Sequence, residues 1–551
     1  MENKYKNRMV MRYVVLIVAL MLGFSGCKDF LVEKPTGSLT DKSTYTSDED
    51  LTALTMGPYR NLPNWTGGAT DWGNNLPQTL EFPTGEAWTI EAHALYWRFQ
   101  TNQVSGDLLD DFNNQWSNWF TGVRDANFSI QMIEGMTGIA SDKISRALGE
   151  VKALRAFYYF NIVRYWGDVP EITKILENVA DAELPRTSLK KIYDEVIIPD
   201  LEFAVASQLA DAKSTDGRIT KYSVRAILAD VYLTCAGYPY QEVNATPTKE
   251  FCVSGAWTMK GYPISNESSK AFLQKAKAQL DILYGKWSLA NSTYDDLRDP
   301  LKNNQGEAIF QAQYLSGVTN NGEIPCALPL ISHISMFGDE NGTFIPSMNY
   351  INAYNPADKR VQEKQFFFTT DNLSTKYDPT QSPAPKFDRP YLYKLYDKDA
   401  IKVTAKSGLN WTFYRYADIL LQLTEVNWTL RQLGVSVSDD DIVKGINEVR
   451  TRALLPTYRA SDVTLLTIMS ERAYELIFES KMLWDQRRTR MCLVDGMGAF
   501  AGIHDFVGHK ATEFSFSFSA MNLISPMPGS EILNNKKCLQ NFGYLPKQAG
   551  Q

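Results

Sequence analysis

Histidine is scarce in this chain, cysteine is thinly spread, and no block of basic residues occurs anywhere in it. The four histidines among 551 residues, His93, His333, His504 and His509, form no His-Glu-x-x-His pair, which excludes the helical zinc-protease arrangement. Beyond Cys27, the cysteines Cys235, Cys252, Cys326, Cys492 and Cys538 are odd in number and widely scattered. They make neither a disulfide framework nor a metal spacing; one bridge and none at all fit the count equally. No Gly-x-Ser-x-Gly elbow, phosphate-cradling glycine loop or complete calcium loop is present. No stretch reaches 18 continuous apolar residues, so no spanning helix is expected. The net charge is −7, with 63 acidic and 56 basic residues. An acidic body without Lys/Arg runs argues against a nucleic-acid partner and against electrostatic docking on anionic lipid.

What is present begins with a secretion signal over residues 1–26. Lys4, Lys6, Arg8 and Arg12 precede the short apolar run Tyr13–Phe24, too short to span a bilayer comfortably. Ser25 and Gly26 then lead into Cys27, a layout that resembles a bacterial lipoprotein cleavage site. Cys27 would become the first mature residue and carry the acyl chains, with Lys28 and Asp29 beside it resembling a surface-export signal. Residues 27–47 read as a lipidated tether rich in Thr, Ser and Lys.

Helical periodicity dominates the rest. Ala147, Val151, Leu154, Tyr158, Ile162 and Tyr165 lie on one stripe of a helix that Gly167 and Pro170 terminate. Ala153, Ala156, Phe157 and Phe160 widen that stripe, so the helix needs neighbours on both sides. Further helices are expected at Asp48–Arg60, Phe112–Glu134, Leu189–Gln208 with a kink at Pro199, Lys221–Ala236 behind Thr220, and Lys270–Tyr284. Between Asn61 and Gln100 glycine and proline break every period, so residues 61–100 read as loop. A loop this long is functional or disordered, and its aromatic content argues against disorder. Residues 48–286 thus form a helical region and 287–410 a lobe rich in loops, with a short strand at Ala308–Tyr314. Residues 411–551 return to helix at Tyr414–Leu433, Asp441–Leu454 and Asp462–Met491. They end in a tail, Leu523–Pro546, expected to lie across the surface. The pairing of helices suggests tetratricopeptide-like units, although no clean 34-residue period exists, and an irregular helical bundle fits the periodicity as well.

Several ordered blocks resemble the SusD/RagB family of outer-membrane nutrient-binding lipoproteins. Leu154-Arg155-Ala156-Phe157-Tyr158-Tyr159-Phe160 with Trp166-Gly167-Asp168-Val169-Pro170 is the first, and Gly217–Leu233 the second. Arg415–Leu421 with Glu425 follows, then Ile446–Arg450 with Arg452-Ala453. Glu471-Arg472, Glu475, Phe478-Glu479, Trp484-Asp485 and Arg487-Arg488 come next. Gln540-Asn541-Phe542-Gly543-Tyr544 closes the series. Ser480 stands where a Gly is usual and Phe542 where a Pro is usual. The resemblance implies a mostly α fold: tetratricopeptide-like helix pairs in a right-handed scaffold, with a loop-rich, partly irregular second lobe and short strands. It also implies a SusC-like TonB-dependent transporter as partner, an oligosaccharide or polysaccharide as ligand, and lipid anchoring on the outside of the outer membrane. It transfers no binding residue, because the blocks are structural.

The candidate site therefore rests on side-chain chemistry. Half of the twelve tryptophans fall between Trp65 and Trp119. Trp116 and Trp119 follow helical spacing, whereas Trp65, Trp72, Trp88 and Trp97 lie in the glycine/proline-rich loop. An indole covers the C–H face of a sugar ring while short polar groups fix its edge. Asp71, Asn74, Glu86, His93 and Arg98 are the candidate edge partners. Tyr314, Phe337 and Trp411, from the second lobe, would meet the loop across a shallow cleft. The competing reading for each Trp is that it pins the loop to the helices. Glu475 and Glu479 have the spacing to mimic a glycosidase pair, but Arg472, Lys481, Arg487 and Arg488 around them favour an ion-paired helix face. No catalytic residue, metal or cofactor is expected. The reading is a non-catalytic glycan-binding lipoprotein that feeds a transporter. A peptide-binding lid, a lipid-anchored glycoside hydrolase and a purely structural scaffold on the transporter are its alternatives.

Overall fold

The computed structural model of the chain describes residues 44–65, 76–89, 97–106, 110–176, 178–242, 251–255, 257, 261–316, 344–370, 386–397, 399–400 and 407–546. Cys27, the signal and almost all of the tether lie outside them.

The first helix, α1 (Asp48–Met56), starts in a capping box: the Ser47 hydroxyl accepts from the Asp50 N–H, and the Asp50 carboxylate accepts from the Ser47 N–H. Its α-geometry stops before Pro58, and the chain tightens into a 3-10 turn over Gly57–Trp65. Two long helices follow, α2 (Asp110–Ile133) and α3 (Ser141–Trp166), packed along each other. From Ala147 to Trp166 every side chain of α3 except Lys152 and Arg164 is buried. Its neighbours on two sides explain this. Trp116 and Trp119 of α2 meet Trp166 edge-on at 5.1 and 5.4 Å, while Phe157 meets Phe310 and Phe413 of the second lobe at 5.4 and 4.9 Å. Gly167 ends the helix at φ +77°, a conformation that side chains resist.

The expected helix at Leu189–Gln208 is not continuous. It comprises Leu189–Ile192, a π-turn at Tyr193–Ile197, and α4 (Ile198–Ala206). Pro199 has no N–H and its ring crowds the preceding turn, so the widened turn sits where the ladder cannot close. Next come α5 (Lys221–Cys235), capped by Thr220, and α6 (Glu267–Leu283), capped by Asn266. The late helices are α7 (Tyr416–Gln432), α8 (Asp439–Arg452), α9 (Leu465–Leu476) and α10 (Met482–Thr489). Each of α2 to α8 packs on the next in order, and α9 returns onto α7. Gly445 lets α7 and α8 approach closely: a Cβ there would fall 2.2 Å from the Leu420 carbonyl oxygen. The expected helix Asp462–Met491 is broken between α9 and α10, where Phe478 and Ser480 take φ of +61° and +60°. Ser480 occupies a left-handed position at which glycine would be unstrained.

Short antiparallel pairs complete the fold, and the first two of them join the second lobe to the helical regions. They are β1 (Ala87–Trp88) with β3 (Ile345–Pro346), β2 (Ala308–Ala312) with β6 (Trp411–Arg415), β4 (Phe367–Thr370) with β5 (Lys386–Leu392), and β7 (Met491–Val494) with β8 (Gly502–Asp505). Apolar side chains from Leu62 to Tyr544 form one continuous core through both lobes.

The tail corrects an expectation. Rather than crossing the surface, Leu523–Pro546 buries Ile524, Met527, Ile532, Cys538, Gln540, Asn541 and Tyr544. The Trp166 indole donates to the Pro526 carbonyl at 3.0 Å, and Asn541 donates to the Trp166 carbonyl at 3.0 Å while accepting from Arg186 at 2.6 Å. The tail is polar because it supplies partners to a helix end, not because it faces water. The four described cysteines, Cys235, Cys252, Cys492 and Cys538, are buried.

Candidate functional site

The aromatic-rich stretch is fastened to the core at several points. Tyr158 donates to the Pro58 carbonyl at 2.7 Å, and Arg60 and Asn61 both reach Asp125. Phe82 packs edge-on against Phe344 at 5.7 Å, and Phe344 against Phe478 at 4.5 Å. The Ser480 N–H donates to the Glu81 carboxylate at 2.6 Å, and Ser347 N–H donates to the Glu86 carbonyl at 2.8 Å. β1 then pairs with β3, with Trp88 opposite Ile345. Farther on, the short helix Trp97–Gln100 places Phe99 against Phe82 and Phe112. The stretch read as loop thus contains short helix, 3-10 turn and strand. Its glycines and prolines hid these pieces because none is long enough to show a period.

Of the candidate binding residues, Trp88 is partly exposed on β1, and Arg98 is partly exposed on its short helix. Trp65 ends the 3-10 turn and Trp97 begins the short helix. The side chains of Trp65 and Trp97, and all of Asp71, Trp72, Asn74, His93 and Phe337, lie outside the described residues. Two candidates are corrected. Glu86 is only 6 % exposed, and its Oε2 has no hydrogen-bond partner. Burial pushes its carboxyl up, and nearby Glu81 and Asp485 add to that; it is an interior acid, not a rim group. Tyr314 is 8 % exposed, and its hydroxyl donates to the Pro63 carbonyl at 2.6 Å. It joins the second lobe to the loop as an interior tie, not across a cleft. Trp411 is likewise buried, in β6.

Glu475 and Glu479 sit in the interior. Arg415 bonds Glu475 at 2.8 Å, Glu479 at 2.7 Å and Glu307 at 3.1 Å. Arg452 spans Glu307 and Glu475, each at 2.5 Å, Arg360 reaches Glu475 at 3.1 Å, and Lys394 pairs with Glu479. Burial pushes the Glu475 carboxyl up, yet Arg452, Arg415, Arg360 and Lys394 outweigh it and hold it at about 2. A group ionised that firmly, with no route to water, cannot donate a proton to a leaving group at neutral pH. The ion-paired reading holds, but with other partners than expected. Arg472 and Lys481 bind Asp418, and Arg488 binds Glu425 and Asp485. Glu307, Arg360 and Lys394 escaped the sequence because they come from irregular segments without period or motif.

A groove of about 1020 Å³ opens beside Gln131, Glu171, Thr173, Lys174, Glu183 and Lys537. No aromatic side chain is among its described lining residues, so it offers no stacking platform. Among the described residues no three His, Cys, Asp or Glu side chains converge as metal ligands, and no helix is long and apolar enough to cross a membrane.

The order of blocks, the helical array and the buried ionic junction now meet the comparison with known proteins. A family model described as the SusD family matches residues 273–544, and one described as starch-binding, associating with outer membrane, matches residues 46–233. A SusD superfamily protein from Parabacteroides distasonis is 31% identical, with 91% of this chain and 100% of that one aligned at a TM-score of 0.78. The chain belongs to the SusD/RagB family. A SusD-like protein of Bacteroides ovatus is 25% identical over 96% of this chain and 97% of its own length. Surface glycan-binding protein A from Bacteroides thetaiotaomicron, solved in complex with laminarihexaose, shares the fold at a TM-score of 0.67 and 19% identity, over 90% of this chain and all of its own. The SusD/RagB sequence blocks acquire a physical meaning here. Trp166–Pro170 and Gln540–Tyr544 are the two halves of one hydrogen-bonded closure. Arg415, Arg452, Glu475 and Glu479 are one ionic junction.

Proposed function

We propose that this chain is a non-catalytic lipoprotein of the outer cell surface. It captures an oligosaccharide and passes it to a SusC-like TonB-dependent transporter. The observation that carries the reading is Trp88, partly exposed on a strand pinned between the two lobes, within a stretch that holds Trp65, Trp72 and Trp97. Rigid indoles on a fixed frame suit stacking on neutral sugar rings. Membership of the SusD/RagB family and the fold shared with a protein solved with laminarihexaose support a glycan as ligand. The family description's outer-membrane association and the Cys27 layout support the location. Asp71, Asn74, His93 and Arg98 are the proposed edge partners; Glu86 and Tyr314 hold the frame from within.

The test uses a soluble form that starts after Cys27, run through affinity gels containing laminarin and other polysaccharides. Retardation of wild type, and its loss in at least one of Trp65→Ala, Trp72→Ala, Trp88→Ala and Trp97→Ala, is the expected result. No loss in any of the four overturns the stacking proposal. Retention by peptides with no glycan retained at all moves the ligand class. New reducing ends on incubation with oligosaccharide would mean a hydrolase instead. Co-purification of the full chain with a TonB-dependent barrel tests delivery.

A further inference from the structure

A small cavity of about 30 Å³ lies where α3, α5 and α10 meet the tail. Its walls include Arg164, Thr234, Arg487, Arg488 and the ring of Trp484. The space suits one water-sized guest. The polar side chains around it include three guanidinium groups, which only donate, and hydroxyls, which can do so. Arg487 is 7 % exposed, and its Nε and Nη1 meet no acceptor. Its Nη2 reaches only the Asn522 carbonyl and the Ser525 hydroxyl, both at 3.3 Å. Arg164 Nε and Thr234 Oγ1 also have no partner. Both guanidinium groups lie over Trp484, at 4.7 and 6.0 Å from its ring centre.

The charges around the cavity do not balance. Among the described residues Arg164 pairs with Asp230, Arg488 with Glu425 and Asp485, and Arg490 with Glu242. Arg472 shares Asp485 and Asp418, and Lys481 shares Asp418. Each of these five cations is matched by one of five carboxylates. Arg487 is the sixth cation and has no carboxylate within ion-pair distance. Burial drags its guanidinium down to about 10, in keeping with a charge that lacks a counterion. A buried cation without one is costly.

We propose that this cavity binds a small monovalent anion, chloride or a similar halide, against the Arg487 guanidinium. A halide accepts from these donors and supplies the missing unit of charge, which a neutral water molecule does not. The ion bridges α3, α5 and α10, so it acts as an internal tie independent of the glycan-binding face.

Two experiments on the full folded chain decide. Crystals soaked in bromide are expected to show an anomalous peak in the cavity, in contact with Arg487. Ordered water there, with bromide bound elsewhere in the same crystal, overturns the proposal. In solution, replacing gluconate by chloride or bromide at fixed ionic strength is expected to raise the unfolding midpoint saturably, on the order of 2 °C. Arg487→Met removes the unpaired charge while keeping the apolar stem. It is expected to abolish the halide effect and to unfold in gluconate no earlier than wild type. An equal halide effect in both proteins overturns the proposal. If the variant does not fold, the presence or absence of the bromide peak in wild type settles the matter by itself.

Discussion

The junction around Glu475 and the frame around Trp88 are neighbours, joined by the bond from Ser480 to Glu81, yet they are built on opposite terms. At the junction Glu307, Glu475, Glu479, Arg415 and Arg452 are each held by two or three opposite charges, and all of them are buried. Around Trp88 the backbone is what is held, by β3, Tyr314 and Phe344, while an aromatic surface is left available to solvent. The first region fixes where the lobes sit. The second uses that fixed position to present a ring. On the proposed function, stability and recognition should therefore be separable by mutation.

The largest effect is expected from Arg415→Met. It leaves three interior carboxylates, Glu307, Glu475 and Glu479, each short of one cation and should cost about 3–5 kcal/mol, measured as a lower urea midpoint; glycan retention by the remaining folded protein should be unchanged. If retention falls in step with Trp88→Ala, the separation fails. Acid should strike the same region. The Glu475 carboxyl lies at about 2 in the folded chain against an ordinary 4.5, so the folded state holds fewer protons between these values. Its contribution is complete above pH 4.5 and is lost as pH falls toward 2, an effect of roughly 3 kcal/mol. Glu81 works in the other direction. Burial raises it to about 8, so its folded form keeps a proton that the unfolded chain releases, and stability declines from pH 4.5 to 8. A pH–stability profile should therefore peak on the acid side of neutrality; a plateau through pH 8 would remove Glu81 from the account. Asn541→Ala should cost about 1–3 kcal/mol by leaving Arg186 and two carbonyls short of a partner, read by calorimetry. Smallest in free energy, Trp88→Ala should weaken glycan binding roughly tenfold, about 1.4 kcal/mol, with a melting temperature within about 2 °C of wild type.

The two regions also differ in how far they could be read from sequence. Long helices announced themselves: the stripe from Ala147 to Tyr165 placed α3 between neighbours, where it lies. Boundaries moved where backbone chemistry intervened, at Pro199 with its π-turn and at Phe478–Ser480 with positive φ. The ionic junction was half legible. Glu475 and Glu479 were visible as a pair, but Arg360 and Lys394 reach them across more than eighty residues, and no spacing rule spans that distance. The tail misled because buried polar residues look like surface ones until their partners are known; Gln540 and Asn541 are both interior. At the candidate site the tryptophans stood out by number, whereas Glu86 and Tyr314 could be told from rim residues only by their burial.

The hydrogen bond from Asn541 to the Trp166 carbonyl joins groups 375 positions apart. A chain made from its amino end therefore cannot complete the carboxyl end of α3 when that helix first forms. The Trp166 carbonyl lacks its Asn541 partner until residues 540–544 are in place. Residues 540–544 complete the packing of α3, and any truncation that removes them should yield a product that is made but never sealed.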